Sequence, residues 1–176
     1  MRAARIPFAI RPSNVPEVIL PDESPEVYSR RLAFDKADAV RKSAAPEDFI
    51  LGADTIVVVD HHVLEKPSDN DDAKRMLRLM SGRGHQVISS VCLLGPGVQE
   101  IQTAVTNVYV VPMSETEMDE YIASGEPFGK AGAYGIQGMF SRWIDHIEGD
   151  YPNVVGLPIG LAYRMLHAHQ AIPTNQ

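Results

Sequence analysis

The chain has 176 residues, 44% of them apolar and 22% charged, and a net charge of −7. That length gives one α/β domain or two small lobes around a cleft, with enough chain to bury a core unaided. The acidic balance excludes the broad basic surface that non-specific nucleic-acid binding needs, and a single cysteine excludes an internal disulfide or a Cys-rich zinc site.

Met1 to Phe8 carries no apolar stretch of the kind a secretory signal requires, and no run approaches the ~18 apolar residues of a membrane span. A cytoplasmic chain without membrane or nucleic-acid partners is the expectation. Arg5 to Ile10 reads as a short strand, and Pro12, Pro16 and Pro21 punctuate the loop after it. Ser24-Pro25-Glu26 is an N-cap followed by proline at the first helical position, so a helix is predicted from there to about Ala44. Its apolar stripe is Tyr28, Leu32, Ala39 and Val40, and Lys36 falls on that stripe. Phe49 to Val59 is nearly continuous apolar sequence, which suits a strand covered on both faces. Asp60-His61-His62 turns the chain into Val63-Leu64-Glu65. A helix follows from Ser68 to Gly82, burying Ala73, Met76, Leu77 and Met80.

Gln86 to Leu94 and Glu100 to Val111 read as two strands joined by Gly95-Pro96-Gly97. Ser114-Glu115-Thr116-Glu117 is a capping box opening a helix with Met118, Tyr121 and Ile122 inward. A glycine-punctuated loop covers Gly129 to Gly138, Phe140 to Ile147 reads as a strand, and Pro158 to about His169 closes the chain as a helix burying Leu161, Met165 and Leu166. Strands and helices in this order indicate an α/β fold with a mixed β-sheet and flanking helices. Cys92, inside an apolar run, reads as a small buried hydrophobe.

Asp54 is the residue that most needs explaining. It interrupts an apolar strand, and burying an ionised carboxylate without a cation, a metal or a proton is costly. The bland alternative is an aspartate capping the end of the strand, against which the strand runs five residues further. Lys66, in Glu65-Lys66-Pro67, reads by itself as a solvated loop lysine. Lys36 is equally a snorkelling side chain or a ligand for an anion. The loop from Gly129 places a glycine at every third position and does not match a phosphate-binding P-loop. A flexible connector is the plain reading of it, weakened by Tyr134, Ile136 and the lone amide of Gln137; a buried glutamine amide offers both a donor and an acceptor to a base or ribose edge.

Leu51-Gly52-Ala53-Asp54-Thr55, Glu65-Lys66-Pro67, Leu79-Met80-Ser81-Gly82, Gly125-Glu126-Pro127, Lys130 to Gly138 (K-A-G-A-Y-G-I-Q-G) and Glu148 to Pro158 (E-G-D-Y-P-N-V-V-G-L-P) resemble, in order and spacing, the signature segments of the Maf family of nucleotide pyrophosphatases. The resemblance runs from about Ile6 to the last helix. It implies a mixed α/β fold with two lobes around a nucleotide cleft. It implies a hydrolase of phosphorus anhydrides that cleaves a nucleoside triphosphate between the α and β phosphates with a divalent cation, Mg²⁺ or Mn²⁺. It assigns Asp54 as general base or metal-linked carboxylate, Lys36 and Lys66 to phosphate oxygens, Glu17 to the metal alongside Asp54, and Thr55 and Gln137 to base choice. The A-D-T and G-I-Q-G versions resemble the dTTP and UTP subgroup, a housekeeping activity against non-standard nucleotides.

One departure stands out. Family members begin with a strand and a Ser-x-Ser-Pro-Arg-Arg loop that opens a helix, and this chain begins near the end of that helix, at Met1-Arg2-Ala3-Ala4. The expectation is therefore a single Maf-like domain over residues 1–176 without that first strand and anion-binding loop, less active than an extended form, with an open sheet edge that favours a homodimer. A rival reading is a non-catalytic nucleotide-binding regulator of cell division. Another is a metal module using His61, His62 and His85, which neighbouring histidines serve poorly.

Overall fold

The computed structural model describes residues 1–172. In chain order the regular elements are α1 (Pro25–Arg41), β1 (Ile50–Val59), β2 (His62–Leu64), α2 (Asn70–Met80), β3 (Gly84–Gly95), β4 (Val98–Val110), α3 (Glu115–Ala123), β5 (Ile144–Glu148), α4 (Tyr151–Val155) and α5 (Ile159–Ala168). The five strands form one sheet in the order β2-β1-β3-β4-β5, with helices beside it, so the architecture is α/β. Among the described residues no helix is long and apolar enough to cross a membrane.

The chain divides into two compact units. The first comprises Met1–Asp54, Ser89–Ala104 and the residues from Leu157 onward; the second comprises Thr55–Ile88 and Val105–Gly156. The long strands β1, β3 and β4 pass from one unit into the other, and each unit has its own core. In the first, Ile6, Val91, Leu93, Ala162, Met165 and Leu166 are buried together, and Ala33 and Ala37 of α1 pack with Cys92 and Leu94. In the second, Val57, Val59 and Leu64 meet Ala73, Met76, Leu77 and Met80 of α2 and Met118, Tyr121 and Ile122 of α3.

Local chemistry accounts for most element ends. Ser24 caps α1 by accepting the Val27 N–H, with Pro25 at the first position. Asp60 and His61 both have positive φ, the geometry of a two-residue primed turn, and they close an antiparallel pair in which Val57 faces Leu64 and Val59 faces His62. Asp69 caps α2 through the Asp72 N–H, and Ser114 with Glu117 completes a reciprocal capping box on α3.

Five expectations are corrected. Residues 5–10 form no strand: Arg5 is left-handed, Pro7 has no N–H to give a ladder, and only Ile6 turns inward. The first helix stops at Arg41 rather than Ala44, where the Ser43 and Ala44 N–H groups bond three residues back, to Val40 and Arg41, ahead of Pro46. Its buried face is Tyr28, Ser29, Leu32, Ala33 and Ala37, with Ala39 and Val40 only half-buried. The segment from Phe140 splits, with a 3₁₀ turn over Met139–Trp143 and β5 beginning at Ile144. Three residues per turn puts Phe140 and Trp143 on one side, where both pack against Tyr121. In α5, Ala162 is buried with Met165 and Leu166, and Leu161 only partly so.

Candidate functional site

The first unit brings three of the sequence-derived residues together. In β1, Gly52 and Asp54 lie two residues apart and therefore on one face of the strand. Helix α1 crosses that face. A Cβ on Gly52 would overlap the Ala33 carbonyl and sit 2.8 Å from the Ala37 Cβ, so only glycine lets the helix this close. With Ala33 and Ala37 seated over Gly52, the neighbouring Lys36 side chain leans toward the helix N-terminus and reaches Asp54, its Nζ donating to Oδ1 at 2.7 Å. Two turns before Lys36, Ser29 is buried, with its hydroxyl 3.3 Å from the Asp54 carbonyl and 2.9 Å from the Ser90 hydroxyl.

Glu17 completes a triad. Its Oε1 also lies 2.7 Å from Lys36 Nζ, so one ammonium bridges two carboxylates whose oxygens are at most twice that distance apart. Asp54 is 7% exposed, and Glu17 is more open to water. Partial burial works against the Lys36 charge, but the hydrogen bonds to Asp54 and then Glu17 outweigh it and raise its pKa. Glu17 sits in an irregular loop that Arg31 ties down. The Arg31 guanidinium grips both Glu23 oxygens at 2.7 Å and donates to the Val18 carbonyl at 2.9 Å. That fork holds the Glu23 carboxyl below its ordinary pKa. Beside Lys36 is a cavity of about 490 Å³, within the usual range for ligand pockets, whose lining includes Lys36, Gly52, Ala53, Arg11 and Ser13 but neither Asp54 nor Glu17.

The other three sequence-derived residues belong to the second unit. Thr55 directly follows Asp54 and donates its hydroxyl to the Gly156 carbonyl at 3.0 Å. Lys66 is exposed, two residues beyond the Val57–Leu64 pair on the side toward Thr55. The glycine loop abuts that segment, with the Gly132 N–H bonded to the Glu65 carbonyl at 3.1 Å. Gln137 is exposed rather than buried, while its neighbour Ile136 is in the core. The loop is no loose connector: Tyr134 and Phe140 pack at 4.5 Å, and the Tyr134 hydroxyl meets Nε2 of the buried His85 at 2.8 Å.

Comparison with known proteins bears on this arrangement. Residues 1–169 match the family described as Maf-like protein. The chain belongs to the Maf family. It is 56% identical over 166 residues to a dTTP/UTP pyrophosphatase of Koribacter versatilis, covering 94% of this chain and 86% of that protein. It is 46% identical over 151 residues to a protein of the same name from Chromobacterium violaceum, covering 84% and 76%. With the one from Photobacterium profundum it shares 48% over 152 residues, covering 83% and 78%.

In this Maf protein, no group of three or more His, Cys, Asp or Glu side chains that could hold a metal ion gathers among the described residues, and Glu17 and Asp54 form a pair of carboxylates that meet at Lys36 Nζ. Two converging carboxylates fit a hard cation such as Mg²⁺, which takes one or two of them and fills its shell with water and phosphate oxygens. His85, one of three histidines weighed for a metal, is instead held neutral; burial pushes its pKa down to about 4. Sequence reading missed the Arg31–Glu23 clasp and the placing of Arg11 and Ser13 at the cavity. The visible signal for the clasp was a carboxylate immediately before the Ser24 cap and an arginine two turns into the helix.

Proposed function

We propose that this chain hydrolyses a nucleoside triphosphate, dTTP or UTP, to the monophosphate and pyrophosphate with the help of Mg²⁺ or Mn²⁺. The observation that carries the proposal is Asp54, a buried carboxylate held on a lysine and facing a second carboxylate. The substrate comes from relatives named dTTP/UTP pyrophosphatase that share about half of their residues with this chain.

Attack by water forms a bond from its oxygen to the α-phosphorus. The bond from that phosphorus to the α–β bridging oxygen breaks, and pyrophosphate leaves with the electron pair. Asp54 takes the proton from the attacking water and is oriented for it by Lys36. Lys36 supplies positive charge to phosphate oxygens, and Lys66 is assigned the same task. Glu17 and Asp54 would hold the cation, which when bound neutralises charge on the phosphates. Thr55 and Gln137 are assigned to the base. A metabolic role follows from the chemistry, because releasing pyrophosphate removes a triphosphate from the polymerisable pool.

The test is pyrophosphate release from dTTP and UTP with and without Mg²⁺, alongside Asp54→Asn. Release from the native chain should depend on the cation, and the asparagine variant should fall by about 100-fold or more. An asparagine variant as fast as the native chain sinks the assignment.

A further inference from the structure

We propose that Glu126 is the positioning residue that sets Gln137 for base discrimination, an inference that rests on the assignment of Gln137 above. Glu126 lies just after α3, in Gly125-Glu126-Pro127, and both ends of the residue are engaged. Its N–H donates to the Ser124 hydroxyl at 3.2 Å, and its carbonyl accepts from the Lys130 ammonium. Its carboxylate accepts from the Tyr121 hydroxyl at 3.1 Å and from the Met139 N–H at 2.8 Å. Tyr121 is fully buried and packs on Phe140 and Trp143, so the carboxylate is anchored to the core on one side and to the backbone beyond Gln137 on the other.

The glycines flanking Gln137 fit this frame. Gly138 has an ordinary negative φ, so its backbone does not demand glycine. A Cβ there would overlap the Glu126 carboxylate. A Cβ on Gly135 would lie 3.1 Å from Cε of Lys130. The Gly138 N–H returns to the Gly135 carbonyl at 3.1 Å and closes the turn that contains Gln137. The side chains of Glu126 and Lys130 thus occupy the space that residues 135 and 138 leave, and the turn is pressed onto them with Gln137 outward. A carboxylate is a poor choice for touching a triphosphate, which agrees with a role exercised through Gln137 rather than on the substrate.

The experiment measures kcat and KM for dTTP, UTP, dCTP and dATP with Mg²⁺ in the native chain, Gln137→Ala, Glu126→Ala, Glu126→Gln and Gly138→Ala. Glutamine can still accept the Met139 N–H and donate to Tyr121, so Glu126→Gln should remain within about 2-fold of native. Glu126→Ala should raise KM for dTTP and UTP by about 10-fold at nearly constant kcat and narrow the preference over dATP as far as Gln137→Ala does. Gly138→Ala pushes on the same carboxylate and should reproduce that shift, which keeps the proposal testable if Glu126→Ala fails to fold. A folded Glu126→Ala or Gly138→Ala variant with native preference overturns the proposal, as does an equal loss of kcat on every nucleotide. If Gln137→Ala alone leaves the preference intact, the base-reading assignment falls and this proposal falls with it; if only the Glu126 and Gly138 variants leave it intact, the assignment of Gln137 stands and the positioning role does not.

Discussion

Replacing Lys36 with methionine removes the ammonium that bridges Glu17 and Asp54 while keeping most of the side-chain volume. Breaking a buried ion pair from one side costs about 3–5 kcal/mol, because the remaining charge is stranded. Here Asp54 is buried, but the side chains of Lys36 and Glu17 are 21% and 37% exposed, so water recovers part of that and about 2–3 kcal/mol is the working figure. For a chain of this length each kcal/mol moves the midpoint by about 2–4 °C, so a fall of about 4–12 °C is expected in a thermal melt at pH 7. The pH dependence gives a second check. The pKa of Lys36 is raised on folding, so its contribution is fully present below its unfolded value of 10.5 and fades as pH climbs through the higher folded value. The gap between native and variant should therefore close at strongly alkaline pH. It should also close in acid, where the carboxylates take up protons. Mg²⁺ should stabilise the variant more than the native chain, since the Lys36 ammonium no longer competes for the two carboxylates. A variant that melts within about 1 °C of native at neutral pH, with the same response to Mg²⁺, refutes the reading of these three side chains as one charged site.

Two further outcomes are expected. Gly52→Ala forces a methyl into the Ala33 carbonyl and the Ala37 backbone, which should cost about 1–3 kcal/mol in urea denaturation and lower pyrophosphate release as Lys36 is displaced from Asp54. His85 has a folded pKa lowered from 6.5 to about 4, so the unfolded chain binds its proton first and stability drains away as pH falls through that window, by about 3 kcal/mol in all; His85→Gln should flatten the profile between those two values.

The elements readable in the sequence were those whose signals are local. The buried face of α2 recurs at helical spacing and was placed residue for residue, and the capping box at Ser114 fixed where α3 begins. The failures share a cause as well. Residues 5–10 look like a strand in composition, but a strand needs a neighbour, and Pro7 and the left-handed Arg5 leave this segment outside the sheet. The stretch from Phe140 has the bulk of a strand, yet the Met139 N–H is taken by Glu126 and the aromatic rings are drawn to Tyr121, a demand from residues far along the chain. Tertiary partners overrode local preference in both places.

The site divides along the same line. Asp54 was legible because a carboxylate in an apolar strand violates a local rule and so announces a purpose. Its relation to Lys36 and Glu17 came only through the family resemblance, because no periodicity links a loop, a helix and a strand that are 18 or more positions apart. What joins them is the spacing Gly52-x-Asp54. A strand returns to the same face after two residues, so the glycine that admits the helix and the carboxylate that receives its lysine share that face. Move the glycine by one position and the helix loses its seat while Asp54 keeps its place; move Asp54 by one and it leaves the face where Lys36 arrives. The helix then needs only to be pinned at the other end, which the Ser24 cap and the Arg31 grip on Glu23 accomplish. By holding Glu23 and the Val18 carbonyl, the same grip fixes the loop in which Glu17 precedes Val18. A single helix therefore carries the lysine that meets Asp54 and the arginine that brings Glu17 to that lysine, which is why a disturbance at its seat on Gly52 should reach both carboxylates at once.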